Sequence, residues 1–363
     1  MQKFDKIKFR NNMSTAARQA VISVSAVVVA LVISMLIIAA MGVDPFKAMS
    51  KIISGALGGK NAIAETLVKM TPLIFTGISY ALASRCGLTN LGMEGQLYMG
   101  ALFATIAGVY IPGLPMAIHL PLTMCAGFLG GAIWGWIVGV LKVRFDASEL
   151  ITTVMLNTVA IQLVQYMVNG PITEPPGNDA QSSPLLESAS LPVILKGTRA
   201  HLGIIIALVF VWLFWMFLWS SKKGYEIRVS GQNPDAAIYS GINTKKNIVL
   251  VMLLAGGVAG LAGATEVMGV QGRLFPTVSP GYGFDGMAVA LIGANTPLGI
   301  VAGAFLFGIL RAGGNSMQRA TGVPVAIIKV IQAIVIIMVV ATAILRETSF
   351  KRKKRNAKTA KAA

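Results

Sequence analysis

Residues 222–246, KKGYEIRVSGQNPDAAIYSGINTKK, form a basic, polar stretch set between two long apolar runs. Flanking runs of that length make it a loop between membrane spans. Lys222, Lys223, Arg228, Lys245 and Lys246 place the loop on the cytoplasmic side, where basic residues accumulate. Inside it the spacing predicts a short capped helix. Asn233 suits the N-cap, Pro234 the first turn, Asp235 the positive end of the helix dipole, and Gly241 a left-handed ending. A rigid knob over 234–241 suits a membrane carrier that is pushed by a separate cytoplasmic motor.

The rest of the chain agrees with a membrane setting. Of 363 residues, 55% are apolar and 12% charged, a balance that belongs in lipid and not in a soluble domain. The net charge of +17 raises nucleic acid as a partner, but its distribution argues against that. Lys and Arg crowd the first 18 residues, the 222–246 loop and the tail from Arg346 to Lys361, where they set topology and meet anionic lipid. Cys86 and Cys125 are far apart and make neither a metal site nor a disulfide framework. His119 and His201 have no second ligand at useful spacing and read as structural. The run from Val21 to Met41 is long enough to span and lacks a small-residue cleavage pattern, so it does not read as a cleavable signal.

Hydropathy divides the chain into a basic cytoplasmic N-terminus (1–19), a transmembrane domain (20–345) and a basic cytoplasmic tail (346–363). The expected fold is all-α and polytopic. About ten transmembrane helices are expected near 20–41, 64–84, 95–111, 120–141, 148–168, 202–221, 247–267, 283–295, 298–313 and 323–345. Both termini then fall inside, 43–62 outside, and the proline-rich 169–201 outside as an ordered cap or a flexible loop. Two places look like broken or re-entrant segments: RCGLTNLGMEGQ at 85–96, and the junction marked by Gly293, Asn295, Pro297 and Gly299. Such backbone is tolerated at membrane depth only inside protein or beside a polar cavity. Five spans per half would invert the second half relative to the first. Gly127, Gly130, Gly131, Gly135 and Gly139 read as a close-packing face.

No catalytic constellation is present. SGALGGKN at 54–61 fails as a phosphate loop, with Ser54 at the first glycine position and Asn61 after the lysine. ATP hydrolysis therefore falls to another chain, and no cofactor is expected here. Polar residues in spans are the functional candidates. Glu149, Thr153 and Asn157 share a helix face, with Thr158, Gln162 and Gln165 beside it. Each serves either interhelical bonding or a substrate path. Asn90, Glu94 and Gln96, in the first break, either anchor the loop or contact substrate. Phe284 and Asp285 follow the turn 279–283, where an aromatic beside an acid can hold a polar ring, unless Asp285 only caps its helix. Glu266 is open to pairing with Lys69 or Lys329.

These residues carry a family resemblance. LTNLGMEGQLYMGALFA at 88–104 resembles the N-I-G-x-E-G-Q signature of permeases in ribose-type and branched-chain amino-acid ABC importers. LKVRFDASELITTVMLNTVA at 141–160 and GYGFDGMAVALIGANTPLG at 281–299 look like the nucleoside branch, which works with basic-membrane-lipoprotein-type binding proteins. Asp235, Ala236, Ala237 and Gly241 are similar to the E-A-A-x-x-x-G coupling loop, with Asp for Glu. The resemblance implies a permease subunit in a bacterial cell membrane. Its partners are then a cytoplasmic ABC ATPase, a second homologous permease and an extracellular lipoprotein that delivers a nucleoside. On that reading Pro234, Asp235, Ala236, Ala237 and Gly241 meet the ATPase, and Asn90, Glu94, Gln96, Asn157, Phe284 and Asp285 line the path. A ribose- or galactose-type sugar, or a branched-chain amino acid, is an alternative cargo. An ion-coupled carrier using Glu94, Glu266 or Asp285 is the alternative mechanism.

Overall fold

The computed structural model describes residues 28–338 apart from 178 and 325. The basic ends at 1–19 and 346–363, and with them the expected orientation of the termini, lie outside the described residues. Thirteen α-helices occur within that range. They are α1 (Val28–Ala40), α2 (Pro45–Leu57), α3 (Lys60–Arg85), α4 (Met93–Tyr110), α5 (Met116–Phe145), α6 (Glu149–Asn169) and α7 (Gly203–Ser220). There follow α8 (Lys222–Gln232), α9 (Pro234–Tyr239), α10 (Thr244–Glu266), α11 (Tyr282–Ile292), α12 (Pro297–Thr321) and α13 (Ala326–Met338). Among the described residues β-structure is limited to two isolated bridges, Thr173–Ser182 and Val193–His201. Among the described residues, six helices are long and apolar enough to cross a membrane: α3, α5, α6, α7, α12, and α10 with the π-helical turn Val267–Gln271 that extends it. The chain is an all-α polytopic membrane protein, and each expected span overlaps a helix, although 20–27 of the first and 339–345 of the last lie outside the described residues.

The described residues divide into two compact units, residues 56–312 and the two flanking stretches, 28–55 with 313–338. In the larger unit α3 and α10 form the centre, with 89% and 72% of their apolar windows buried. The glycine face of α5 packs against α10. A Cβ added at Gly131 would lie 2.7 Å from the Gly260 Cα, and one at Gly135 would lie 3.0 Å from the Gly256 Cα. Small residues bring backbones close where lipid offers no hydrophobic drive for association. On α6 and α7, Ile151, Met155, Trp212 and Trp215 remain exposed.

Two stretches between the spans are ordered: one expected as a loop, the other open in sequence between an ordered cap and a flexible loop. Residues 43–62, expected as a loop, contain α2, whose first turn is capped by Asp44 Oδ1 accepting from the Phe46 and Lys47 N–H groups (2.9 and 3.3 Å). The apolar positions of α2 follow helical period, but Lys47, Lys51 and Gly55 lower its hydropathy enough to hide it. The segment 169–201 is an ordered cap. Its Ser182, Leu185 and Leu191 N–H groups donate to Leu274, Gly272 and Met268 carbonyls (3.0, 2.9 and 2.9 Å), and Arg273 pairs with Glu174 at 2.7 Å. These bonds seat it on the chain leaving α10.

In the end unit, Gly313 lies against the Ile52 carbonyl and Gly55 against Ser316, so α2 and the last turns of α12 approach closely through small residues.

Candidate functional site

The first break runs between α3 and α4 and is held by amides. Asn90 Oδ1 accepts from the Gly92 N–H (2.9 Å), and Asn90 Nδ2 donates to Gln96 Oε1 (3.1 Å). From α6, Asn157 supplies both a donor and an acceptor: Nδ2 to the Leu91 carbonyl (2.8 Å), and Oδ1 from the Gly95 N–H (2.7 Å). Asn90, Gln96 and Asn157 are all buried. A helix that starts at membrane depth exposes N–H groups that no earlier turn satisfies, and these amides satisfy them. Glycine is required at Gly95, where a Cβ would sit 2.8 Å from the Asn157 Cα.

The second element is the start of α11. Ser279 Oγ accepts from the Gly281 and Tyr282 N–H groups (3.1 and 2.9 Å), and Gly281 turns the chain at φ 104°. The buried Glu94 carboxylate reaches across from α4 and accepts from the Gly283 N–H at 2.6 Å. Glu94 thereby ties the first break to the N-terminus of α11, where a negative charge suits the helix dipole. One turn on, Asp285 Oδ2 is bound by Arg311 of α12, with Nη2 at 2.6 Å and Nε at 2.8 Å. The same guanidinium lies 4.7 Å from the centre of the Tyr282 ring. Phe284, between Tyr282 and Asp285 in sequence, is 47% exposed.

The loop between α7 and α10 folds as two short helices. Ser221 Oγ caps α8 by accepting from the Gly224 N–H (2.9 Å), and Asn233 Oδ1 caps α9 by accepting from the Ala236 N–H (3.0 Å). Pro234 occupies the first turn, and Gly241 ends the knob at φ 76°. The Gly241 and Ile242 N–H groups then donate to the Ile238 and Ala237 carbonyls (2.9 and 3.0 Å). Ala237 is buried, whereas Ile238 and Tyr239 are 59% and 93% exposed. Beside the knob, the Lys223 hydrogen bond at 2.7 Å holds the exposed Glu226 carboxyl below the usual carboxylate range.

The structure thus brings Asn90, Glu94, Gln96 and Asn157 together around one break, and joins it to the α11 start through Glu94. Phe284 and Asp285 share that helix start but face different surroundings. Thr153 is buried and bonds its own helix at Glu149 O (2.6 Å), while Thr158 and Gln162 lie exposed on α6. Lys69 pairs with Glu65 (3.6 Å), and Glu266 Oε2 has no hydrogen-bond partner. His119 binds Ser188 Oγ (2.7 Å) and the Ala107 carbonyl (3.1 Å), and His201 Nδ1 accepts from the Gly203 N–H (3.2 Å). Sequence reasoning missed Arg311, Ser279 and α8. An arginine inside the otherwise apolar α12 was the available signal, since a buried guanidinium needs a carboxylate.

The family model described as branched-chain amino acid transport system / permease component matches residues 62–340. The guanosine ABC transporter permease protein NupP of Bacillus subtilis is 36% identical over 92% of this chain and 96% of its own length. The nucleoside ABC transporter permease protein NupB of Lactococcus lactis is 32% identical over 90% and 92%. The glucose ABC transporter permease protein TsgB13 of Haloferax volcanii is 33% identical over 87% and 86%. No solved structure matches the chain.

Proposed function

On the premise that this chain belongs to the branched-chain amino acid transport system / permease component family, we propose that it is the permease subunit of a bacterial ATP-driven nucleoside importer. A cytoplasmic ABC ATPase hydrolyses ATP, a second homologous permease completes the pore, and an extracellular binding lipoprotein delivers the cargo. Both termini face the cytoplasm. The observation that carries the coupling is α9: a capped helix of six residues whose apolar tip, Ile238 and Tyr239, is exposed among the described residues. Large exposed aromatics on a rigid element are the usual anchors of an interface. Pro234, Asp235, Ala236, Ala237 and Gly241 give the knob its shape. The exposed Thr158 and Gln162 of α6 support the second subunit, because polar side chains at membrane depth need a polar neighbour or a water-filled path.

The cargo path runs past the break and the α11 start. Phe284 offers a ring on which a base stacks, worth about 0.5–1.5 kcal/mol beyond area burial. Asp285, neutralised by Arg311, presents a polar wall without net charge, which suits a neutral solute. Asn90, Gln96 and Asn157 shape the path from behind by fixing the backbone, and Glu94 holds the two walls together. Relatives named for guanosine and for nucleosides support this cargo, and the relative named for glucose favours a simple sugar as the second reading.

The test is uptake of labelled guanosine by cells that express this chain with its ATPase, partner permease and lipoprotein, against unlabelled adenosine, glucose, ribose and leucine. Adenosine should compete and the others should not. Phe284→Ala should lower uptake several-fold while the lipoprotein binds guanosine as before. Competition by glucose alone would replace the nucleoside reading with the sugar one.

A further inference from the structure

The docking loop and both backbone breaks meet at the end of α3. Gly231, at the end of α8, lies directly against the Arg85 carbonyl, and a Cβ there would also stand 2.7 Å from the Gly87 nitrogen. From the other side, a Cβ at Gly87 would be 3.3 Å from the Gly231 Cα. No side chain separates the two backbones. Arg85 itself reaches the turn between α11 and α12: its Nη2 donates to the Asn295 carbonyl at 2.8 Å. Asn295 returns the contact, donating Nδ2 to Ser84 Oγ at 2.9 Å. Ala294 and Asn295 both sit at positive φ (50° and 53°), a conformation non-glycine residues hold only when their surroundings enforce it. The Arg85 guanidinium also lies over the Trp219 ring, 5.3 Å from its centre, at the end of α7.

We infer that Arg85 is a positioning residue that joins the docking loop to both breaks, so that a displacement of the loop reaches the two walls of the cargo path together. Backbone-to-backbone contact at Gly87 and Gly231 leaves no soft side chain to absorb a push from α8. The paired bonds between Ser84, Arg85 and Asn295 then carry the movement into the α11–α12 turn. This rests on the proposed coupling to an ATPase.

The test uses the whole importer in proteoliposomes: this chain, its partner permease, the ATPase and guanosine-loaded binding lipoprotein. Arg85→Gln should lower guanosine uptake at least tenfold and abolish the stimulation of ATP hydrolysis by the loaded lipoprotein, with basal hydrolysis and assembly kept. Asn295→Gly, which retains the left-handed backbone and the carbonyl that Arg85 binds, should give a milder loss of the same kind. Ser84→Ala should add nothing to Asn295→Gly, because both remove one bond. If Arg85→Gln fails to assemble, Asn295→Gly decides the matter. Wild-type stimulation and uptake in assembled variants would overturn the inference, as would uptake and basal hydrolysis falling in proportion. A wild-type complex without ATP-driven uptake would instead refute the coupling reading beneath it.

Discussion

Gly241 is the position where a small change should cut the link between ATP hydrolysis and transport without disturbing the membrane fold. Its φ of 76° lies in the left-handed region, and a Cβ added there meets nothing within 4 Å. The cost of substitution is therefore backbone strain alone. For an L-residue that strain is about 1–2 kcal/mol, at the upper end for a β-branched side chain and least for asparagine. The knob has only six residues, too few to hold as a helix by itself, so its shape depends on its caps. At about 1.4 kcal/mol per tenfold, a 2 kcal/mol penalty shifts the balance between capped and frayed knob roughly 25-fold, and 1 kcal/mol roughly fivefold. Gly241→Asn, Gly241→Ala and Gly241→Val should thus form a graded series in guanosine uptake at matched membrane expression. Basal ATP hydrolysis should stay level. Wild-type uptake with Val at 241 would refute the reasoning. Equal losses for Asn and Val would refute it too, since that would make side-chain bulk against the partner, and not the turn, the cause.

The buried pair in the path should behave as a unit. Arg311→Leu should lower the melting temperature in detergent more than the double change Asp285→Asn with Arg311→Gln, because removing one partner of a largely buried pair strands the other charge at about 3–5 kcal/mol. Equal shifts would argue against a buried pair. The cap over 169–201 should loosen in acid. Burial, with Arg199 nearby, pushes His201 down to about 4 from 6.5, so the unfolded segment takes up a proton that the folded one refuses. The stability this confers is complete above about pH 6.5 and is lost as pH falls toward 4, by at most about 3 kcal/mol. Proteolysis of 169–201 in right-side-out vesicles should rise over that window, and His201→Asn should flatten the rise.

Much of this fold can be read in the sequence because lipid imposes simple rules. Apolar runs marked the described helices, and the Asn233-Pro234-Asp235 start with the Gly241 stop placed the knob at its observed start and within two residues of its observed end. The glycines of α5 read correctly as a packing seam, since small residues at helical spacing have little else to do in lipid. What stayed hidden depends on distance along the chain. Glu94 meets Gly283 across 189 positions and Arg85 meets Asn295 across 210, and no local pattern encodes such a meeting. The helix face leaves Asn157 open between an interhelical bond and a substrate contact; that its amide serves the backbone of the first break emerges only when α4 and α6 are placed side by side. Helix α8 was overlooked because Gly224 and Gly231 lower its propensity, and it holds through the Ser221 cap and packing on α3.

The central claim is that an ATPase docked on α9 drives this permease. Its most direct test is guanosine accumulation in proteoliposomes holding the complete importer, with ATP supplied on the ATPase side and a protonophore present or absent. Accumulation should require ATP, vanish when the ATPase subunit is left out, and be indifferent to the protonophore. Accumulation that collapses with the protonophore and proceeds without ATP would contradict the account and make the chain an ion-coupled carrier.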